Sequence, residues 1–269
     1  AARARALVII GNLYADHEER VRAYDTAEAA ALNATKLAPD FAEGFSALGF
    51  ALASGKLDMR RAREPFDRSY ALAPGNADVL ARYASFRTYL RDHERATKVI
   101  LHAATLDPLN ARTFRSQGDI RYHAGDHAEA IIAYRKAILL NPTLAGLNAS
   151  MGFAQLMAGA KDDARASFLK ERSAVRRLPG LAILAHRAGD QKAAKAALAD
   201  LMKEYGDKSH YQYAQVYAQW GDLTNALVSL QTARELRDGG ILLMYADPLL
   251  APLRSTNGYL ALAKAVGFT

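Results

Sequence analysis

His123 and His127 stand four residues apart with Asp126 and Glu129 beside them, a spacing that resembles a divalent-metal ligand set. Gly125 lies between the two histidines and breaks the helix such a site needs, so all four are read as turn residues. The stretch GFALASGK, 49–56, places glycines and a lysine in the manner of a phosphate-binding loop. It has one residue too many between its glycines, no Ser or Thr after Lys56, and helix rather than strand before it. Ser167 and Lys170 form S-x-x-K without the companion motifs of penicillin-recognising enzymes. The chain has no cysteine, which excludes disulfides, Cys-ligated zinc, iron–sulfur clusters and thiol nucleophiles. No catalytic residue, metal ligand or cofactor motif is left standing, and the expected protein is not an enzyme.

The elements that carry these side chains are helical. Alanine and leucine dominate while valine and isoleucine are sparse, a balance that favours helix over strand. A length of 269 residues suits one or two cores or a single extended repeat array. The formal net charge is +7, but Lys and Arg are interspersed with Asp and Glu and form no basic block. That charge assists an acidic partner without marking a nucleic-acid binder. The longest uncharged run, TLAGLNASMGFAQLMAGA (143–160), approaches the length of a membrane span. Asn148, Ser150, Gln155 and its glycines suit a buried repeat helix better, and the chain is not expected to cross a membrane. The opening AARARAL lacks an initiator Met and is read as the start of a fragment of something longer.

A ladder recurs along the sequence. In GDHAEAIIAYRKAILLNP (125–142), Ala130, Tyr134, Ala137 and Pro142 are four, three and five residues apart. The same ladder appears as Ala27, Ala31, Ala34, Pro39; as Ala62, Phe66, Ser69, Pro74; and as Ala96, Ile100, Ala103, Pro108. Downstream it reads Ala164, Phe168, Glu171, then Ala194, Leu198, Leu201, then Ala226, Leu230, Ala233. The leading alanines step by 35, 34, 34, 34, 30 and 32 residues. Each ladder is preceded by a helix with bulky residues followed by a small one, such as Phe45, Leu48, Gly49 or Leu80, Tyr83, Ala84. Gly-Asp turns join the two at 125–126, 189–190 and 221–222, glycine ending the first helix and aspartate capping the second. No single hairpin can bury its own apolar face, so the units must stack into a right-handed superhelix.

This pattern resembles the tetratricopeptide repeat over roughly residues 1–240. The resemblance implies an all-α, right-handed α–α superhelix of about six to seven hairpins. Three departures stand out: a longer interhelix loop in the first unit (ADHEERVRAYDT, 15–26), one extra residue near Met59 in the second, and a fifth unit without its proline. In such a fold the first helix of each hairpin lines a concave groove. The register then places Arg82, Ser85 and Tyr89 there from the third unit, Arg112, Arg115, Asp119 and Tyr122 from the fourth, and Phe153 and Met157 from the fifth. Arginine can hold a carboxylate through two parallel hydrogen bonds, and aromatic rings supply contact area. The expected partner is therefore a protein or peptide with an acidic or C-terminal segment. Basic and aromatic residues at single-strand stacking intervals do not extend over several repeats, so nucleic acid is not the expected partner.

The end of the chain is different in kind. RDGGILLMYADPLLAPLRSTNGYLALAKAVGF resembles the C-terminal cap of one subset of bacterial repeat proteins through Arg237, Asp238, Gly240, Asp247, Pro248, Pro252, Leu253, Arg254 and Gly267–Phe268. Residues 241–269 are expected to cap the 1–240 solenoid, with Asp247, Pro248, Leu249, Leu250, Pro252 and Leu253 covering the apolar face of the last hairpin. Such modules are similar to the sensory portion of membrane-anchored winged-helix activators of the cadaverine-regulator type, and to tails of class III adenylyl cyclases and some Ser/Thr kinases. The first parent would place the domain outside the cytoplasm, in the periplasm, and the others within the cytoplasm. The implied role is a non-enzymatic interaction and signal-input domain of a bacterial regulator. Two other readings stay open: a small-molecule sensor whose superhelix, closed by the sixth and seventh units, encloses a pocket lined by Tyr211, Tyr213, Tyr217 and Trp220, and a self-association module that makes its parent a homodimer.

Overall fold

The computed structural model describes residues 1–13 and 17–269. Helices pair into seven consecutive antiparallel hairpins. The first three join α1 (Ala2–Leu13) to α2 (His17–Leu37), α3 (Ala42–Phe50) to α4 (Met59–Leu72), and α5 (Ala77–Tyr89) to α6 (His93–Leu106). The next two join α7 (Ala111–Ala124) to α8 (His127–Leu140) and α9 (Leu147–Met157) to α10 (Lys161–Lys170). The last two join α11 (Ala174–Arg187) to α12 (Gln191–Tyr205) and α13 (His210–Trp220) to α14 (Leu223–Glu235). Beyond them come 3₁₀ segments at Gly239–Leu243 and Pro248–Leu253, then α15 (Asn257–Val266). No strand occurs among the described residues, and the architecture is the right-handed α–α superhelix.

The ladder positions hold the hairpins together. Ala62, Ala96, Ala130, Ala164, Ala194 and Ala226 are each fully buried, and so are Ile100, Tyr134, Phe168 and Leu230 one turn later. The large residue fills a notch in the opposite helix. A Cβ on Gly118 would lie 2.5 Å from the Tyr134 ring, and one on Gly152 would lie 2.7 Å from Phe168. Only a glycine at these points lets the helices approach that far. The turns behave as expected at Gly125, Gly189 and Gly221, all with φ between 80° and 89°. Asp190 and Asp222 accept hydrogen bonds from Ala193 N and Asn225 N at 2.9 and 3.1 Å, capping α12 and α14. Asp126 departs from this role: its carboxylate accepts from Arg121 Nη1 at 2.9 Å and leaves α8 without a side-chain cap.

Two irregularities read from the sequence take different forms here. The longer loop expected at 15–26 is helical from His17 onward, residues 15 and 16 lying outside the described residues. Tyr24 accounts for this, since it is fully buried against Gly11 and its hydroxyl donates to Asn12 Oδ1 at 2.5 Å. The extra residue near Met59 is absorbed just upstream. A π-helical turn at Ala51–Gly55 extends α3, and Leu57 takes φ +52° before α4 begins. This is the GFALASGK stretch, now a buried helical turn. In the fifth unit, which lacks the closing proline, the buried Glu171 holds the last ladder position. Its carboxylate accepts from Ser173 N at 3.0 Å and Ala149 N at 3.3 Å, ordering the entry to α11.

The superhelix closes on itself. Arg20 Nη1 donates to the Leu236 carbonyl at 2.7 Å, 216 residues away, and Arg237 Nη1 donates to Gly55 O at 3.2 Å. Arg63 Nη2 reaches Phe268 O at 3.3 Å. One apolar cluster runs through both ends, joining Val8, Tyr24, Met59 and Phe66 with Tyr211, Ile241, Leu250, Tyr259 and Phe268. Two smaller clusters fill hairpins four to seven. The C-terminal segment packs on α13 and α14, and Gly239–Leu243 also touches the π turn of hairpin two.

Burial leaves a pH signature. Tyr24, Tyr89, Tyr213 and Tyr259 are pushed up to about 12, chiefly by desolvation, and Tyr122, Tyr134 and Tyr211 are held well above 10 for the same first reason. The folded chain keeps these protons where the unfolded chain releases them. Their contribution to stability is therefore whole below about pH 10 and falls as pH rises toward about 12. Urea midpoints measured from about pH 8 to about pH 11 should drop steeply over the last unit, with tyrosinate absorbance rising in the same transition. A flat midpoint, or tyrosinate formed before unfolding, would contradict this.

Candidate binding site in the lumen

Closure of the superhelix leaves a cavity of about 530 Å³ at its centre. The first helix of every hairpin contributes to its wall, from Asn12 on α1 through Tyr89, Arg115, Phe153 and Arg176 to Tyr211 and Gln215 on α13. The second helices contribute only Tyr134. Leu242, Leu243, Asp247 and Leu249 of the C-terminal segment close one side, so the groove is already partly filled by its own chain.

Of the nine residues placed on the groove by register, Tyr89, Arg115, Tyr122 and Phe153 line this cavity. Arg82 and Arg112 do not. Arg82 lies near Asp78 of its own helix at 3.9 Å, and burial beside Arg5 lowers its pKa. Arg112 is exposed at the start of α7. Ser85 and Asp119 line the cavity, whereas Met157 packs in the satellite clusters. Of the four aromatic residues considered for a sensor pocket, Tyr211 alone reaches the lumen. Tyr213 donates to Gly206 O at 2.7 Å, and Tyr217 and Trp220 pack into the core of the last hairpins.

The cap residues occupy definite positions. Asp247 is only 2% exposed, and its carboxylate accepts from Tyr211 Oη, Gln215 Nε2 and Leu249 N at 2.7, 2.7 and 2.8 Å. It thereby opens the 3₁₀ turn that Pro248 and Pro252 occupy, and Leu249, Leu250 and Leu253 are buried beneath it.

Charge in the lumen is unevenly matched. Asp119 accepts from Tyr134 Oη at 2.8 Å and lies 3.8 Å from Arg115. Asp238 is satisfied by Gly240 N at 2.9 Å and Tyr211 N at 3.3 Å, although burial raises its pKa. Arg176 has no anionic partner within salt-bridge distance among the described residues; its pKa is lowered first by the surrounding protein and next by Arg115. The Tyr122 hydroxyl, on a residue 7% exposed, and Gln212 Oε1 are buried without hydrogen-bond partners among the described residues. A ligand bearing an anionic group and hydrogen-bonding atoms would meet all of these.

Arg176 was not among the residues read from the sequence. It stands six residues before Ala182, as Arg112 stands six before Gly118, so register could have named it. Register does not separate the two; the curvature of the array does.

His123 Nδ1 meets its own helix carbonyl at Asp119 O, 2.6 Å away, and His127 packs near the Tyr122 ring. No group of three metal-ligating side chains is found among the described residues, and no described helix is long and apolar enough to cross a membrane.

Comparison with known proteins bears on the fold. The tetratricopeptide repeat family matches residues 116–144, the second part of α7 with α8. No curated protein sequence matches the chain. A tetratricopeptide repeat protein from Parabacteroides merdae superposes with TM-score 0.59 at 16% identity, over 91% of this chain and 99% of that one. PilF of Pseudomonas aeruginosa gives 0.54 at 21% identity, over 76% and 92%. The Cut9–Hcn1 hetero-tetramer of the APC/C gives 0.59 at 16%, over 83% of this chain and 46% of that one. The ladder, the matched repeat and these likenesses agree: the chain contains a tetratricopeptide repeat and folds as a tetratricopeptide-repeat solenoid.

Proposed function

We propose that this chain is a non-enzymatic binding and signal-input module of a multidomain bacterial regulator, taking the acidic end of a protein or peptide into its lumen. One observation carries the reading: all seven first helices converge on a single cavity where Arg176 stands near Arg115 without an anion at salt-bridge distance among the described residues, beside Tyr89, Tyr122 and Phe153, while the lining carboxylates Asp119, Asp238 and Asp247 already accept hydrogen bonds from the protein. Solenoids of this fold enter assemblies, as the Cut9–Hcn1 hetero-tetramer does. The small-molecule sensor remains a second reading, favoured by closure. A volume of about 530 Å³ lies in the usual range for small-ligand pockets.

The test separates lumen from outer surface. Capture of peptides ending in a free carboxylate next to Asp or Glu should weaken by about tenfold or more in Arg115→Glu and stay unchanged in Arg112→Glu. Equal loss in both variants would show an unspecific charge effect. Binding of a small carboxylate but not of any peptide would favour the sensor.

A further inference from the structure

A second cleft, of about 550 Å³, lies where the two ends of the superhelix meet, and it shares no residue with the lumen. One wall carries Lys56, Arg60 and Arg61 of hairpin two. The facing wall carries Arg234 and Arg237 from the end of α14 and Lys264 from α15. Against these six cations the lining holds two acids, Asp58 and Glu235, and the Asp58 carboxylate caps α4 through Arg61 N at 3.0 Å.

The two walls are neutralised unequally. Lys56 pairs with Asp25 and Glu28, and Arg61 pairs with Glu28 at 2.5 Å. Arg60 Nη2 donates to Thr269 O at 3.1 Å, whereas Arg237 donates to the Gly55 carbonyl and has no carboxylate at salt-bridge distance among the described residues. Arg234 and Lys264 are exposed and have no side-chain partner among the described residues. Closing the superhelix therefore brings like charge together across the seam, against the gain from the shared apolar cluster behind it. An anion between the walls would remove that opposition.

We propose that the seam is a binding site for a compact polyphosphate anion, which ties the first hairpins to the last. Guanidinium forks match phosphate oxygens in pairs, and ammonium groups add point charge. No aromatic side chain among the described residues lines the cleft, so none of them stacks on a nucleobase there, and the phosphate chain is what the site reads. A ligand bound to both walls stabilises the closed fold by mass action.

The probe is inorganic tripolyphosphate at constant ionic strength, with melting temperature and calorimetric affinity as readouts. The expected result is a saturable rise in melting temperature that chloride does not reproduce. Affinity should fall about tenfold or more in Arg234→Glu/Lys264→Glu and stay unchanged in Arg115→Glu. ATP should bind no tighter than tripolyphosphate, which assigns recognition to the phosphates whether free or nucleotide-borne. Because both seam substitutions are at exposed positions, circular dichroism of the variant should match the parent. The proposal is overturned if no saturable shift exceeds the salt control, if the double variant responds as the parent does, or if citrate at matched charge binds equally.

Discussion

A chain ending at residue 240 should aggregate on expression, or melt far below the full-length domain, before any selective loss of ligand binding can be seen. The removed segment carries Ile241, Leu242, Met244, Leu249, Leu250, Leu253, Tyr259, Leu262, Val266 and Phe268, each less than a tenth exposed. At about 1.5–3 kcal/mol for each large apolar side chain, this burial exceeds the about 5–15 kcal/mol by which a domain is usually stable. The loss is not confined to those residues. Most of them belong to the cluster that also holds Val8, Tyr24 and Met59, so truncation uncovers apolar surface at both ends of the array. Exposed patches of that kind associate. Light scattering and calorimetry of the 1–240 chain check the result. A monodisperse truncation with an unchanged melting temperature would refute the capping role proposed for 241–269.

How much of this was legible beforehand depended on the distance over which each interaction acts. The ladder was legible because Ala130, Tyr134 and Gly118 meet within one hairpin, so their spacing is set by helix geometry alone. Tyr89, Arg115, Tyr122 and Phe153 followed from the same register, since the first helix of a hairpin must turn one face inward. Arg112 shares its register position with Arg176 and still misses the cavity, whereas Arg82 stands two residues before Ala84 where Arg115 stands three before Gly118, one position off the lining face. Closure was legible only as an alternative, and the contacts that make it were not. The hydrogen bond from Arg20 to Leu236 spans 216 residues, and no local spacing announces which distant surfaces meet. The apparent insertion near Met59 shows the same limit on a smaller scale. A repeat count registers one extra residue, and only packing decides between a loop and a π turn.

Asp247→Ala should destabilise the domain by about 3 kcal/mol or more, since the substitution strips the acceptor from three donors at once. Tyr211 Oη and Gln215 Nε2 come from the lumen-facing side of α13, and Leu249 N begins the 3₁₀ turn. Each buried donor left unpaired costs about 1–3 kcal/mol. Asp247→Asn makes the sharper comparison. Its amide retains one acceptor oxygen of similar shape but turns an NH₂ group toward donors, so part of the penalty should remain although no cavity is created. If Asp247 acts only as a turn former, the two variants will differ little from the parent in urea unfolding. If it joins the terminal segment to the lumen wall, both will lose stability, and the fluorescence of Trp220, five residues beyond Gln215 on the same helix, will change early in the transition. The same residue then links the two proposals for this fold. Its carboxylate holds in place the segment that both narrows the lumen and carries Lys264 to the seam, so Asp247→Ala should weaken peptide capture and tripolyphosphate binding together, whereas Arg115→Glu affects only the first.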